Sequence, residues 1–137
     1  MRFKLARSLL TSALFAVATA GVSLSYAGTP SAVDVKQVAT MQSSGALLLD
    51  VREADEYAQG HAPGAILIPL GQLSQRLTEI ARYKNQPVAL ICRSGNRSAK
   101  AQKLLEQAGF SATSNVEGGM IAWQKSGLPV VLGAASR

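Results

Sequence analysis

The clearest candidate for chemistry in this sequence is its single cysteine, Cys92. It follows an apolar run, 87–91, and precedes a short polar loop that leads into a segment with helical spacing of apolar residues. Where a loop enters a helix, successive backbone N–H groups and the helix dipole can stabilise an anion. A thiol in that position ionises readily, so we predict that Cys92 is a nucleophile rather than a buried structural cysteine.

The loop after Cys92 has the composition that such a nucleophile needs. Arg93 and Arg97 add positive charge, which should hold the thiol pKa below the usual value of about 8.5. Gly95 can adopt a positive φ or leave room for a ligand. The residues expected to form the substrate-binding loop are Arg93, Ser94, Gly95, Asn96, Arg97 and Ser98.

Alternating strand and helix patterns predict the framework that positions this loop. Short apolar runs alternate with amphipathic segments, which is typical of an α/β fold with a mainly parallel sheet. The expected strands cover 46–49, 65–68, 87–91 and 110–116, with a further short strand near residue 32. The expected helices cover 34–41, with Asp34 as the N-cap, then 53–59, 70–83, 98–109 and a short one from residue 120.

Asp50 ends the strand 46–49, as Cys92 ends the strand 87–91. Ligand sites of open α/β sheets gather at the carboxyl ends of the strands, so these two residues should share one edge. Asp50 and Arg52 are possible supports of the site. The favoured interpretation is a structural ion pair that also binds loop backbone.

Three spaced motifs resemble those of rhodanese-type sulfurtransferases. The loop 92–98 is similar to the family's active-site loop, and residues 50–53, 56–57 and 60–65 resemble the segment upstream of it. Residues 116–120, Trp123 and 127–130 resemble its C-terminal signature. The resemblance implies one rhodanese-like domain with a mainly parallel five-stranded sheet flanked by helices. It also implies a structural turn around His61, the only histidine, while Trp123 is expected in the core.

The resemblance further implies a function. Cys92 would take a sulfane sulfur from thiosulfate or a similar small anionic donor and hold it as a persulfide. A thiophilic acceptor, such as cyanide, a thiol or a protein thiol, would then remove it. Arg93 and Arg97 would attract the donor and steady the departing sulfite. No cofactor is expected, and no metal-ligand spacing is present in the sequence. A single cysteine also leaves no resolving thiol for a dithiol–disulfide cycle.

Two other classes of function share part of this pattern. A Cys-x5-Arg phosphatase or arsenate reductase would need arginine at position 98, where this chain has Ser98 and places Arg97 one residue early. A non-enzymatic persulfide carrier or protein-binding module is the second alternative. An inactive module would be expected to lack Cys92, whereas a carrier with a protein acceptor would keep it.

The first 27 residues read as a signal peptide rather than as part of the fold. A basic start and an apolar centre precede Ser25-Tyr26-Ala27, which predicts cleavage before Gly28 and a domain over 28–137. Export to a bacterial periplasm is expected, with an uncleaved membrane anchor as the alternative.

Three of the 14 basic residues and none of the 8 acidic ones lie in this leader, so the remaining chain has a net charge of +3. With no basic run remaining, we expect neither nucleic-acid binding nor stable membrane association after cleavage.

Overall fold

Five short strands form one parallel sheet in a computed structural model that describes residues 28–136. The predicted signal peptide, 1–27, lies outside the described residues. The sheet order is β1-β5-β4-β2-β3, with every pairing parallel. This topology confirms the predicted α/β fold. The strands are β1 (Ala32–Val33), β2 (Leu47–Asp50), β3 (Ile66–Leu67), β4 (Val88–Ile91) and β5 (Thr113–Val116).

Helices cover both faces of the sheet. Asp34 caps the first of them, as predicted, and accepts hydrogen bonds from the backbone N–H groups of Lys36 and Gln37. Within residues 28–136, no helix has the length and hydropathy to cross a membrane. The α-helices are α1 (Val35–Ser43), α2 (Ala54–Gln59), α3 (Asn96–Gln107) and α4 (Gly119–Lys125).

The segment 70–83 differs from the single amphipathic helix that its sequence predicts. It forms two 3₁₀ helices, Leu70–Gln75 and Leu77–Tyr83, joined at Arg76, whose φ of −117° and ψ of 15° are not helical. A 3₁₀ helix brings residues i and i+3 into line, so Leu70 and Leu73, and then Leu77 and Ile80, fall on the same side. The apolar contacts that the sequence predicts are therefore made by a tighter backbone.

The two central strands, β2 and β4, are buried along their whole length. Leu48 and Ala89 pack with α1, α2 and α4 on one face, where Trp123 also lies, as expected for a core residue. Leu49 and Leu90 pack with α3 and the 3₁₀ segments on the other face. Burial on both faces explains why these strands are continuous apolar runs rather than alternating ones.

Parallel register brings two of the predicted site residues to the same edge of the sheet. Asp50, the last residue of β2, is paired with Ile91, the last residue of β4. Cys92 follows Ile91 in the chain, so it lies one residue beyond the residue that is paired with Asp50. This edge is the carboxyl end of both strands, the usual position of a ligand site in such sheets.

Candidate active site

Cys92 lies at the bottom of a very short turn between β4 and α3. Its side chain is nearly inaccessible in the folded chain, with 1% of the residue exposed. Helix α3 begins at Asn96 rather than at Ser98, because Gly95 adopts a left-handed conformation with φ of 105°. That conformation suits glycine and lets the chain turn directly from the strand into the helix. The early helix start brings its first N–H groups close to the sulfur.

Hydrogen bonds converge on the sulfur atom of Cys92. The backbone N–H of Gly95 donates to Sγ at 3.1 Å, and Oγ of Ser98 lies 3.2 Å from it. Burial of the thiol is the largest single influence on its pKa and acts to raise it. The Ser98 hydroxyl and the backbone N–H groups of Ser98, Gly95 and Ser94 together outweigh it, and the net result is a lowered pKa. The loop therefore favours a thiolate through hydrogen bonds.

Residues behind the loop fix the direction of these N–H groups. The carbonyl oxygens of Cys92 and Arg93 accept hydrogen bonds from the backbone of Met120 and Ile121 at the start of α4, at 2.8 and 3.1 Å. The Asn115 amide donates to the carbonyl of Gly95 at 3.1 Å. With its carbonyls bound on one side, the loop presents its N–H groups to Sγ on the other.

Gly119 makes this close approach between α4 and the loop possible. A Cβ atom at this position would lie 2.6 Å from the carbonyl carbon of Arg93, far inside the normal contact distance. Gly119 also has φ of 54°, which other residues rarely adopt. The sequence signals this position only through the Gly118-Gly119 pair of the third motif, and neither Gly119 nor Asn115 was predicted to support the loop.

The two loop arginines lie in different surroundings. Arg97 donates two hydrogen bonds to Glu56 of α2, with distances of 2.6 Å from Nη1 to Oε2 and 2.8 Å from Nη2 to Oε1. This bond to Arg97 is the main cause of the lowered pKa of Glu56, which falls from 4.5 to about 2, and it raises the pKa of Arg97. Arg93 is exposed and has no carboxylate partner within the described part of the chain.

Asp50 and Arg52 form the ion pair that the sequence suggests. The Asp50 carboxylate accepts from Nε and Nη2 of Arg52, the latter at 2.7 Å, and also from the Arg52 backbone at 3.0 Å. Arg52 additionally donates to the carbonyl of Gly60 at 2.8 Å. Both side chains are buried, at 0% and 7% exposure. The pair fixes the chain between β2 and α2, at the same edge of the sheet as Cys92.

His61 is bound away from the thiol. Its Nδ1 lies 2.8 Å from the carbonyl oxygen of Tyr57, and its ring stacks on the Tyr57 ring with centroids 3.6 Å apart. Its backbone pairs with Val131. These contacts give His61 the structural role implied by the sequence motif. Among residues 28–136, no group of three or more histidine, cysteine, aspartate or glutamate side chains is placed to hold a metal ion.

A cleft of about 270 Å³ opens beside the loop. It combines positive, negative, amide and apolar side chains, so it can admit a small polar molecule next to Arg93, the residue that follows Cys92. Glu56, which the sequence placed in a motif without assigning it a role, is one of its walls. The lining residues are Arg52, Glu56, Gln59, Gly60, Arg93, Met120, Ile121 and Gln124.

Comparisons with known proteins agree with this geometry. A family model described as a rhodanese-like domain matches residues 34–126. A sulfurtransferase of Allochromatium vinosum is 42% identical over 85 residues, which cover 62% of this chain and 78% of that one. Thiosulfate sulfurtransferase 16 of Arabidopsis thaliana is 36% identical over 110 residues, which cover 73% of this chain and 92% of that one.

Solved structures give the same result. The crystal structure of a rhodanese-related protein from Thermoplasma volcanium is similar with a TM-score of 0.67 at 32% sequence identity. The match covers 75% of this chain and 99% of that one. Together with the sulfurtransferase relatives, this likeness supports a role in sulfur transfer or sulfur carriage.

Proposed function

The chain belongs to the rhodanese-like domain family, and on that premise we propose that it transfers sulfane sulfur from thiosulfate or a similar donor through a persulfide on Cys92. The observation that carries this proposal is the convergence of N–H and O–H donors on a buried, unpaired sulfur at a helix start. Such a site stabilises negative charge on sulfur, and both the thiolate and the persulfide carry that charge.

The first half-reaction loads sulfur onto the enzyme. The Cys92 thiolate attacks the outer sulfur of thiosulfate, so a new S–S bond forms between Cys92 and that atom. The bond between the outer sulfur and the sulfonate group breaks, and its electron pair leaves with sulfite. The enzyme retains a persulfide anion, so total charge is unchanged in the step.

The second half-reaction returns the thiolate. A nucleophilic acceptor, cyanide or a thiolate, attacks the terminal sulfur of the persulfide. Cys92 departs with the electron pair of the S–S bond, and thiocyanate or a new persulfide is released. The N–H groups of the loop, including that of Gly95, are placed to stabilise charge on sulfur in both halves of the cycle.

Among the loop residues, Arg93 is the better candidate for attracting an anionic donor. Its guanidinium is exposed and lines the cleft, whereas the Arg97 guanidinium is occupied by Glu56. Ser94, Gly95, Asn96 and Ser98 would supply backbone N–H groups and hydroxyls. Asp50 and Arg52 act as structural supports in this proposal.

The loop geometry argues against the phosphatase alternative. Ser98 stands where a Cys-x5-Arg enzyme needs arginine, and its hydroxyl lies against Sγ. Arg97 is directed to Glu56. The arginine nearest to the required position in the sequence, Arg97, is thus not arranged to clamp a tetrahedral phosphate over the thiolate. A carrier that passes the persulfide to a partner protein uses the same first half-reaction and differs only in the acceptor.

Intact mass measurement tests the proposal directly. The protein after incubation with thiosulfate should gain the mass of one sulfur atom, and cyanide should remove it with release of thiocyanate. The Cys92→Ser variant should gain nothing, because a serine hydroxyl does not ionise near neutral pH. If the wild type stays unmodified and instead hydrolyses an aryl phosphate through Cys92, the sulfurtransferase proposal is wrong.

Alkylation tests the state of the thiol. The rate of reaction with iodoacetamide against pH should show a midpoint below that of an unperturbed thiol, about 8.5. Ser98→Ala should raise the midpoint, because it removes the hydroxyl bonded to Sγ. A midpoint at or above the ordinary value in the wild type would remove the electrostatic basis of the proposal.

We also propose that the protein is exported, with cleavage before Gly28. The basic start, the apolar centre and Ser25-Tyr26-Ala27 support this. N-terminal sequencing of the protein from a periplasmic fraction should begin at Gly28. An intact Met1 in a membrane fraction would favour the anchor instead.

A further inference from the structure

Three arginines border the catalytic loop, and two of them are already neutralised. Arg52 is bound by Asp50, and Arg97 is bound by Glu56 through two short hydrogen bonds. Arg93 alone faces the cleft without a carboxylate partner in the described residues. An anion that approaches Cys92 therefore meets much less positive charge than the number of arginines suggests.

Glu56 is placed to affect that anion directly. Glu56 is a lining residue of the cleft, and its side chain stays partly solvent-accessible, at 27% exposure. It is fixed there, because Oε2 also accepts a hydrogen bond from the Glu53 backbone at 3.0 Å. Glu56 thus cancels the charge of Arg97, and because Glu56 lines the cleft while Arg97 does not, the negative end of the pair is the end nearer the substrate.

We infer that Glu56 is a specificity-determining residue that weakens the use of doubly charged sulfur donors relative to singly charged ones. This inference rests on the proposed sulfur transfer through Cys92. A dianion interacts with the Glu56 charge twice as strongly as a monoanion in the same place, so the carboxylate shifts the preference toward donors with less charge.

A pair of donors that differ in charge tests the inference. Thiosulfate is a dianion, and methanethiosulfonate is a monoanion that delivers the same outer sulfur and releases methanesulfinate. The quantity to measure is the ratio of kcat/KM for thiosulfate to kcat/KM for methanethiosulfonate, with cyanide as the acceptor. Glu56→Gln should raise this ratio roughly three- to tenfold at low salt, the size expected for one charge several ångströms away in a partly solvated site.

Two further variants separate charge from loss of structure. Arg97→Gln leaves Glu56 unneutralised and should lower the ratio. Glu56→Gln combined with Arg97→Gln removes both charges and should return the ratio close to that of the wild type. A loosened loop would instead lower turnover in all three variants and move the ratio in no consistent direction.

A matched control is available in the Arg76–Glu79 pair, which does not line the cleft. It also makes two hydrogen bonds, of 2.6 and 2.8 Å, here from Nε and Nη2 of the arginine. Glu79→Gln changes the net charge equally and should leave the ratio unchanged. A higher salt concentration should reduce the change in the ratio that Glu56→Gln causes, because salt screens the interaction between the Glu56 charge and the donor.

The outcomes are distinct from those that test the proposed function. A wild type that takes sulfur from neither donor refutes the sulfur-transfer proposal. If the wild type takes sulfur from both donors, two results would overturn the role of Glu56. One is a ratio in Glu56→Gln that stays within twofold of the wild-type ratio. The other is a ratio that changes in the same direction in Glu56→Gln and in Arg97→Gln. Should Glu56→Gln fail to fold, an unchanged ratio in Arg97→Gln overturns it equally.

Discussion

Two arginine–carboxylate pairs flank the loop that holds Cys92, and they differ in almost every physical respect. Asp50 and Arg52 are two residues apart and buried, and Arg52 also binds the Gly60 carbonyl. Glu56 and Arg97 are 41 residues apart, join α2 to α3, and are exposed at 27% and 34%. One residue of each pair lines the cleft, Arg52 in the first and Glu56 in the second, but only the second pair is substantially exposed to solvent.

This difference predicts a structural role for the first pair and a role in donor selectivity for the second. A buried pair is surrounded by fixed groups, so removal of one partner leaves an uncompensated charge that water cannot reach. A partly exposed pair is screened by solvent, so its removal costs less stability but changes the charge that a substrate meets. The Asp50–Arg52 pair should therefore govern folding, and the Glu56–Arg97 pair should govern the choice of donor.

The largest effect is expected from breaking the buried pair. Arg52→Met keeps the aliphatic stem but leaves Asp50 buried without its cation, which should lower the free energy of unfolding by about 3–5 kcal/mol. Urea unfolding of the mature protein measures the change. The double variant Asp50→Asn with Arg52→Met removes the uncompensated charge and should recover part of the loss. A loss below that of the Glu56 variants would contradict the assignment of structural support to this pair.

The same contrast explains how much of the site the sequence could predict. Asp50 and Arg52 are neighbours at the end of an apolar run, so their ion pair follows from local sequence and sheet geometry. Cys92 and the helix after it follow in the same way from an apolar run, a glycine and helical spacing. The five-stranded sheet followed from the resemblance of three motifs.

The partner of Arg97 could not be read from the sequence. Its assignment as a donor-binding residue used only its proximity to Cys92 along the chain, whereas Glu56 reaches it from α2, which packs on the opposite face of the sheet from α3. The start of α3 at Asn96 depends on the conformation of Gly95, which composition alone does not fix. The 3₁₀ geometry of 70–83 reflects packing on the sheet, which overrode a helical pattern.

An intermediate effect is expected when acid protonates Glu56. Its pKa in the folded protein is about 2, against an ordinary value of 4.5, because Arg97 binds the charged form. The stabilisation is therefore complete above pH 4.5 and is lost as the pH falls toward 2. Partial exposure limits its size to about 1–2 kcal/mol.

Unfolding free energy against pH measures this contribution. The wild type should lose stability between pH 4.5 and 2 more steeply than Glu56→Gln, which has no proton to take up at this position. Equal slopes for the two proteins in that range would show that Arg97 does not hold the Glu56 carboxylate in solution.

The smallest effect should come from the third pair, Arg76 and Glu79, which also makes two hydrogen bonds but whose carboxylate side chain is 49% exposed, against 27% for Glu56. The Arg76 hydrogen bond lowers the pKa of Glu79, yet the Glu79 side chain is open to solvent, and the two residues are only three apart, with Arg76 at the junction of the two 3₁₀ helices. Solvent and salt screen such a pair, so Glu79→Gln should leave the urea midpoint unchanged within error at 0.15 M salt. The measurement also serves as a reference for the Glu56–Arg97 pair, because the two hydrogen-bond lengths are the same while the carboxylate side chain is more exposed. A loss of stability in Glu79→Gln as large as that in Glu56→Gln would mean that hydrogen-bond geometry, rather than burial and position, sets the strength of these pairs.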